Sequence, residues 1–356
     1  MTMKDYLIID DAQQRRIEEL EADYRRLLEQ PKNCRPMFQM IDCSRSARPW
    51  EDVLAEPAVM LAETLDAIRP HLEMGDDALP VIRAEFGTAI YPSAYGCEIR
   101  IPTNSLPACY THVMTRAEDA CALPAPARTA GLFRQVERFS HFYFENLPEG
   151  VRVQHMDIQS PFNSAFLIRG NDILTDFYDC PELVELLMDR VTDYMISQQP
   201  WISGMTSNRD GWFYDSDALW KGTARISNCS LHLISPAFYR DHVMERDRRF
   251  FGAVGGGRVH YCGTQDEVID DLFRLENIYG LDYDPRLHDL WQMCERAPEQ
   301  MPLMQPIGGD ESGREILKRL LSGDWPEKRN LIFTVYAQNR HEATELLAQL
   351  RRSVPR

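Results

Sequence analysis

Eight short apolar runs, each followed by a helical stretch, constrain this chain more than any other feature. They fall at 36–41, 79–82, 151–156, 223–226, 258–261, 279–283, 301–305 and 330–336. Apolar runs of this length that alternate with helical periodicity are the pattern of a parallel sheet built from βα units. Eight of them predict an α/β protein with a closed (β/α)8 barrel. Ahead of the first run, residues 12–30 place Ile17, Leu20, Tyr24 and Leu27 on one face at helical spacing and stop at Pro31. The reading is therefore an N-terminal helical extension over 1–35 and a barrel over 36–356. The extension is expected to pack on the outside of the barrel or against a second copy of the chain in a homodimer. The connections from the second run to the third and from the third to the fourth are each about 70 residues, long for such units, and predict extra helices or lids. Helices are clearest at 180–198 and 266–276, the first opening on Pro181, where a proline costs no hydrogen bond.

Composition limits the partners. At 356 residues with 44% hydrophobic content, the chain can bury a large core. A formal net charge of −16 argues against nucleic acid and anionic membranes, which demand a basic surface. A small-molecule substrate or a protein partner fits better. The first residues lack the basic start and apolar run of a secretory signal, and no stretch approaches the ~18 apolar residues of a membrane span, so a cytoplasmic location is expected. The nine cysteines are scattered, which predicts reduced thiols.

The chemistry-bearing run is Arg258-Val259-His260-Tyr261-Cys262-Gly263. Residues two apart on a strand share a side, so His260 and Cys262 project together, at the strand end where barrel active sites lie. An imidazole nitrogen and a thiolate can close on one zinc. Nine histidines and nine cysteines would give about 0.2 His-x-Cys pairs by chance, so the motif needs its context. The alternative is a satisfied buried histidine beside a core cysteine. A catalytic zinc takes three protein ligands and keeps an open position. Asp284, with Asp282 pointing the same way, and Cys229 on the preceding strand are the candidates for the third. A second same-side pair, His155 and Asp157, suits proton transfer with the carboxylate orienting the ring, or is a buried histidine satisfied by a neighbouring acid. Arg83 and Glu85 form a charged pair suited to a substrate carboxylate or to a simple salt bridge. Asn163 follows His155 and Asp157 on the next turn and completes the substrate-binding candidates.

Residues 157–187, DIQSPFNSAFLIRGNDILTDFYDCPELVELL, resemble a strand–turn–helix and Asp-Pro-Glu-type helix start of the uroporphyrinogen decarboxylase superfamily. Residues 227–262 are similar to its Ile-Ser-Pro segment and His-x-Cys-Gly strand, and 280–284 to the strand after it. The resemblance covers roughly 150–290 and otherwise rests on strand order. It is closer to the methyltransferase branch than to the decarboxylases, whose Arg-Gln-Ala-Gly-Arg motif is replaced by Asp42-Cys43-Ser44-Arg45-Ser46-Ala47-Arg48. The resemblance implies a zinc-dependent methyltransferase that moves a methyl group between a small substrate or thiol and a corrinoid carried by a partner protein, with His260 and Cys262 as zinc ligands. The family's third ligand, a cysteine after the last strand, is missing from 335–341, which reads VYAQNRH, so Asp284, Cys229 or His341 has to complete the site. A decarboxylase of a porphyrinogen-like substrate, clamped through Arg45, Arg48 or Arg83, is the alternative. A non-catalytic, partner-binding barrel is the third reading.

Overall fold

The computed structural model describes residues 3–355. All eight expected runs are strands, here β1 Met37–Asp42, β2 Val81–Ile82, β3 Arg152–Val153, β4 Ala224–Ser227, β5 Gly257–Tyr261, β6 Ile278–Tyr283, β7 Leu303–Ile307 and β8 Leu331–Ala337. Six of them form one parallel sheet in the order β1-β8-β7-β6-β5-β4, and β2 pairs in parallel with β3.

The expected single ladder of eight is therefore interrupted at two seams, and side chains fill both. Between β1 and β2, the Asp77 carboxylate accepts from Phe38 N at 2.9 Å and that of Asp76 from Met40 N at 2.7 Å. Between β3 and β4, Arg225 N donates to His155 Nε2 at 3.1 Å, and a short bridge joins Gln159 to Ser227. Buried backbone groups need partners, and here imidazole and carboxylate groups serve in place of the missing ladder.

The amphipathic helix α1 spans Asp11–Glu29, starts on an Asp10 capping box and buries Ile17, Leu20, Tyr24 and Leu27. Their partners are a second β-hairpin within the chain, Trp212–Asp215 with Ala218–Lys221, and the first residues of β1, β2 and β8. The apolar face is covered by its own chain, so it leaves the expected dimer contact without support. The two long connections hold the extra elements expected. Residues between β2 and β3 carry a small hairpin and the helix Phe133–Asn146; those between β3 and β4 carry the helices Pro161–Arg169, Ile173–Asp179 and Pro181–Ser203, then the 212–221 hairpin. That hairpin packs with α1 at the N-terminal ends of the strands, opposite the site, where lids had been expected over it. Among the described residues no helix is long and apolar enough to cross a membrane.

Candidate metal centre

Gly257 opens β5 because any Cβ there would lie 1.7 Å from Ala224 O, so only glycine lets β5 approach β4 this closely. The close pairing runs in register to Ser227 opposite His260, and Asn228 N then donates to His260 O at 2.8 Å. The chain turns at once into the short 3-10 helix Cys229–Leu233. Asn163, in the first turn of the helix Pro161–Arg169, pins that turn by accepting from Ser230 N at 3.0 Å. Beyond β5, His288 Nε2 meets Gly263 O at 2.8 Å while its Nδ1 meets Asp266 at 2.8 Å, and the loop that carries Cys262 is fixed.

These constraints bring together Cys229, His260 and Cys262, whose ligand atoms all lie within 4.8 Å of one another, each residue half-buried. No other such three-residue group of His, Cys, Asp or Glu occurs among the described residues. The donor set suits zinc: two sulfurs and an imidazole nitrogen, three protein ligands with room for a fourth. His260 Nδ1 is bonded to Asp282, which leaves Nε2 as the nitrogen that could coordinate a metal, with a carboxylate behind the ring as is common for metal-bound histidines.

Electrostatics follow the geometry. Burial opposes charge on His260, but the Asp282 carboxylate outweighs it and raises the imidazole to about 9. Hydrogen bonds from Cys229 and then His260 hold the Cys262 thiol well below its ordinary value, while the same contact with Cys262, reinforced by burial, pushes the Cys229 thiol up. The pair thus holds one thiolate more readily than two. A bound cation would favour the second. Asp282 is held low by the Arg258 guanidinium and by His260 despite its burial.

A cavity of about 440 Å³ opens beside the cluster, lined by His260, Cys262, Asp284, Arg286, Asp310 and Tyr336 among others. That is room for a small molecule.

The remaining sequence candidates fall elsewhere. Asp284 lies on the cavity wall, bound by Arg286 Nε at 2.9 Å, and is outside the three-residue group. His341 is 84% exposed in its side chain and pairs with Glu345, away from the cavity. His155 and Asp157 do not form a couple. The His155 ring is buried, donates from Nδ1 to Met156 O at 2.6 Å and accepts at Nε2 from Arg225 N, so it is a neutral seam histidine whose pKa burial lowers. Asp157 instead accepts from Arg225 Nη1 at 2.7 Å and Gln159 Nε2 at 2.9 Å. Arg45 and Arg48 both pair with Glu63, and Arg83 pairs with Glu85, which occupies the guanidiniums a polycarboxylate would need. Sequence reasoning missed Arg258 as a site neighbour. Its signal was parity: Arg258, His260 and Cys262 are two apart and must share a side.

No family model and no curated protein matches this chain. Among solved structures it is similar to a methyltransferase from Methanosarcina mazei, with 14% identity and a TM-score of 0.67 over 94% of this chain and 97% of that one. Likeness at that identity concerns the fold: the two share a mixed α/β architecture along nearly their whole lengths.

Proposed function

We propose that the protein is a zinc-dependent methyltransferase that transfers a methyl group between a small thiol or methylated substrate and a corrinoid carried by a partner protein. The observation that carries this reading is the convergence of Cys229, His260 and Cys262 at the C-terminal ends of β4 and β5, beside a small-molecule cavity. The fold shared with a methyltransferase supports it. We read the eight strands as a closed (β/α)8 barrel, with the seams at β1/β2 and β3/β4 bridged by side chains. Cys229 takes the place of the ligand absent after β8. Domain limits of 1–35 and 36–356 belong to the same reading.

Bound zinc would act as a Lewis acid that lowers the pKa of a thiol in its open position and so supplies a thiolate nucleophile at neutral pH. The chain does the rest. Cys229, Cys262 and His260 Nε2 would hold the ion, with the cavity beside His260 and Cys262 open to a substrate. With a metal in place of the Nε2 proton, Asp282 would keep the remaining His260 proton on Nδ1. Asp284, Arg286 and Tyr336 shape the wall against which a substrate lies.

The test is to mix the zinc-loaded protein with methylcobalamin and a panel of small thiols, and to follow thioether formation with the cobalamin spectrum. Turnover that depends on zinc and is lost in Cys262→Ser is expected. Zinc-loaded protein that turns over none of the thiols, in either direction, would overturn the methyltransferase reading.

A further inference from the structure

The 212–221 hairpin reaches the candidate metal centre from below. Its turn residues, Ser216 and Asp217, adopt left-handed backbone conformations with φ of 50° and 56°, and they lie among the strands: Gln39 Nε2 donates to both of their carbonyls at 3.0 Å, and Leu79 N to that of Asp217 at 2.8 Å. Gly280 makes the space. A Cβ at that position would sit 2.4 Å from the ring of Trp220, and β6 shifts register just there. Trp220 in turn lies under Arg258, with the guanidinium 4.5 Å from the ring centroid.

Arg258 is 1% exposed and is the centre of a chain of contacts. Its Nε donates to Asp215 at 2.7 Å, its Nη2 to Asp215 and to Ser216 Oγ at 2.8 Å, and its Nη1 to Asp282, whose other oxygen meets His260 Nδ1. Although burial pushes the Asp215 carboxyl up, Arg258 and Arg225 pull it down to about 2, so the contact is ionic throughout the working range.

We infer that the hairpin is a positioning device for the metal centre: Asp215 at its tip fixes Arg258, Arg258 fixes the Asp282 carboxylate, and Asp282 fixes the ring plane and tautomer of His260. This rests on the reading of Cys229, His260 and Cys262 as metal ligands. The layer beneath a barrel site is ordinarily filled with branched apolar side chains. Burying an ion pair there contributes little to stability compared with an apolar layer, and Asp215 Oδ1 is left without a partner. What the ionic layer adds is direction. Carboxylates behind metal-bound histidines tune affinity, and their loss commonly weakens it 10–100-fold. Asp215 extends that support one residue further, from a segment outside the strand ring.

The experiment measures zinc affinity by competition with a chromophoric chelator, together with the visible spectrum of the cobalt-substituted protein. Asp215→Asn is expected to weaken zinc binding on the order of 10-fold and to alter the cobalt bands, and Ser216→Ala to do the same to a smaller extent if the first variant folds poorly. In an Asp282→Asn background, Asp215→Asn should add almost nothing, because residues acting along one chain are non-additive. Leu219→Ala, a core residue of the same hairpin, should lower the melting temperature and leave zinc affinity unchanged. Equal zinc affinity in wild type and both tip variants, or an Asp215→Asn effect that persists in full without Asp282, overturns the inference. Absence of zinc binding in the wild type would instead remove the metal reading beneath it.

Discussion

His260 and Cys262 were legible because a strand's two-residue period places them together whatever the fold. The third member, Cys229, was legible only as one candidate among several. Cys229 meets them only because Gly257 allows β4 and β5 to run close, and because Asn228 N bonds His260 O at the strand end. Backbone approach of that kind leaves no periodic trace, so Asp284 and His341 stayed beside Cys229 as candidates in the sequence. The two candidates separate cleanly in a variant pair. Cys229→Ser should weaken zinc binding by about 100-fold or more, since it removes one of three ligands, whereas Asp284→Asn should leave it within about twofold. Equilibrium dialysis against zinc distinguishes them, and equal losses in the two variants would contradict the assignment. His155 teaches the converse. Its strand placement suggested proton transfer, yet its two ring nitrogens are consumed by the seam between β3 and β4.

The elements around the site carry their own titration. Asp247, on the helix Met244–Val254, is fully buried against Asn228 and Tyr239, and burial outweighs both hydrogen bonds to raise its carboxyl to about 7. Because the folded pKa lies above the ordinary value of 3.8, the folded state holds this proton more tightly than the unfolded one. Its contribution to stability is present at pH 4 and is lost as the pH rises through about 7. Asp247→Asn removes that dependence, and its amide can pair with the Asn228 Oδ1 that otherwise lacks a partner. Denaturant unfolding should therefore find the variant close to wild type at pH 4 and more stable at pH 8, by on the order of a few kcal/mol. A constant difference across that range would show that Asp247 is ionised in the fold. At this scale the sequence was most informative: the eight parallel strands and the amphipathic α1 were readable from apolar spacing. The 212–221 hairpin was not, because its residues alternate too briefly and its role is to fill space that only the assembled strands define.

At the scale of the whole molecule, the sequence suggested that the extension over 1–35 packs on the outside of the barrel or against a second copy, and α1 lies against its own chain. Ile17, Leu20, Tyr24 and Leu27 are each at most 2% exposed, and their burial is worth roughly 1.5–3 kcal/mol apiece. Arg16 and Arg35 also bind Asp77, which in turn caps the β1 edge. Removal of residues 1–35 should yield insoluble or unfolded protein in place of a stable barrel, as read by circular dichroism and gel filtration. A truncated chain that unfolds cooperatively near the wild-type temperature would show that α1 is dispensable.

Elemental analysis of the purified protein reads the occupancy of the Cys229–His260–Cys262 centre. One zinc per chain is predicted, falling to a small fraction in Cys262→Ser and in Cys229→Ser. Wild-type protein that carries no zinc and takes none up from micromolar zinc at neutral pH would contradict it.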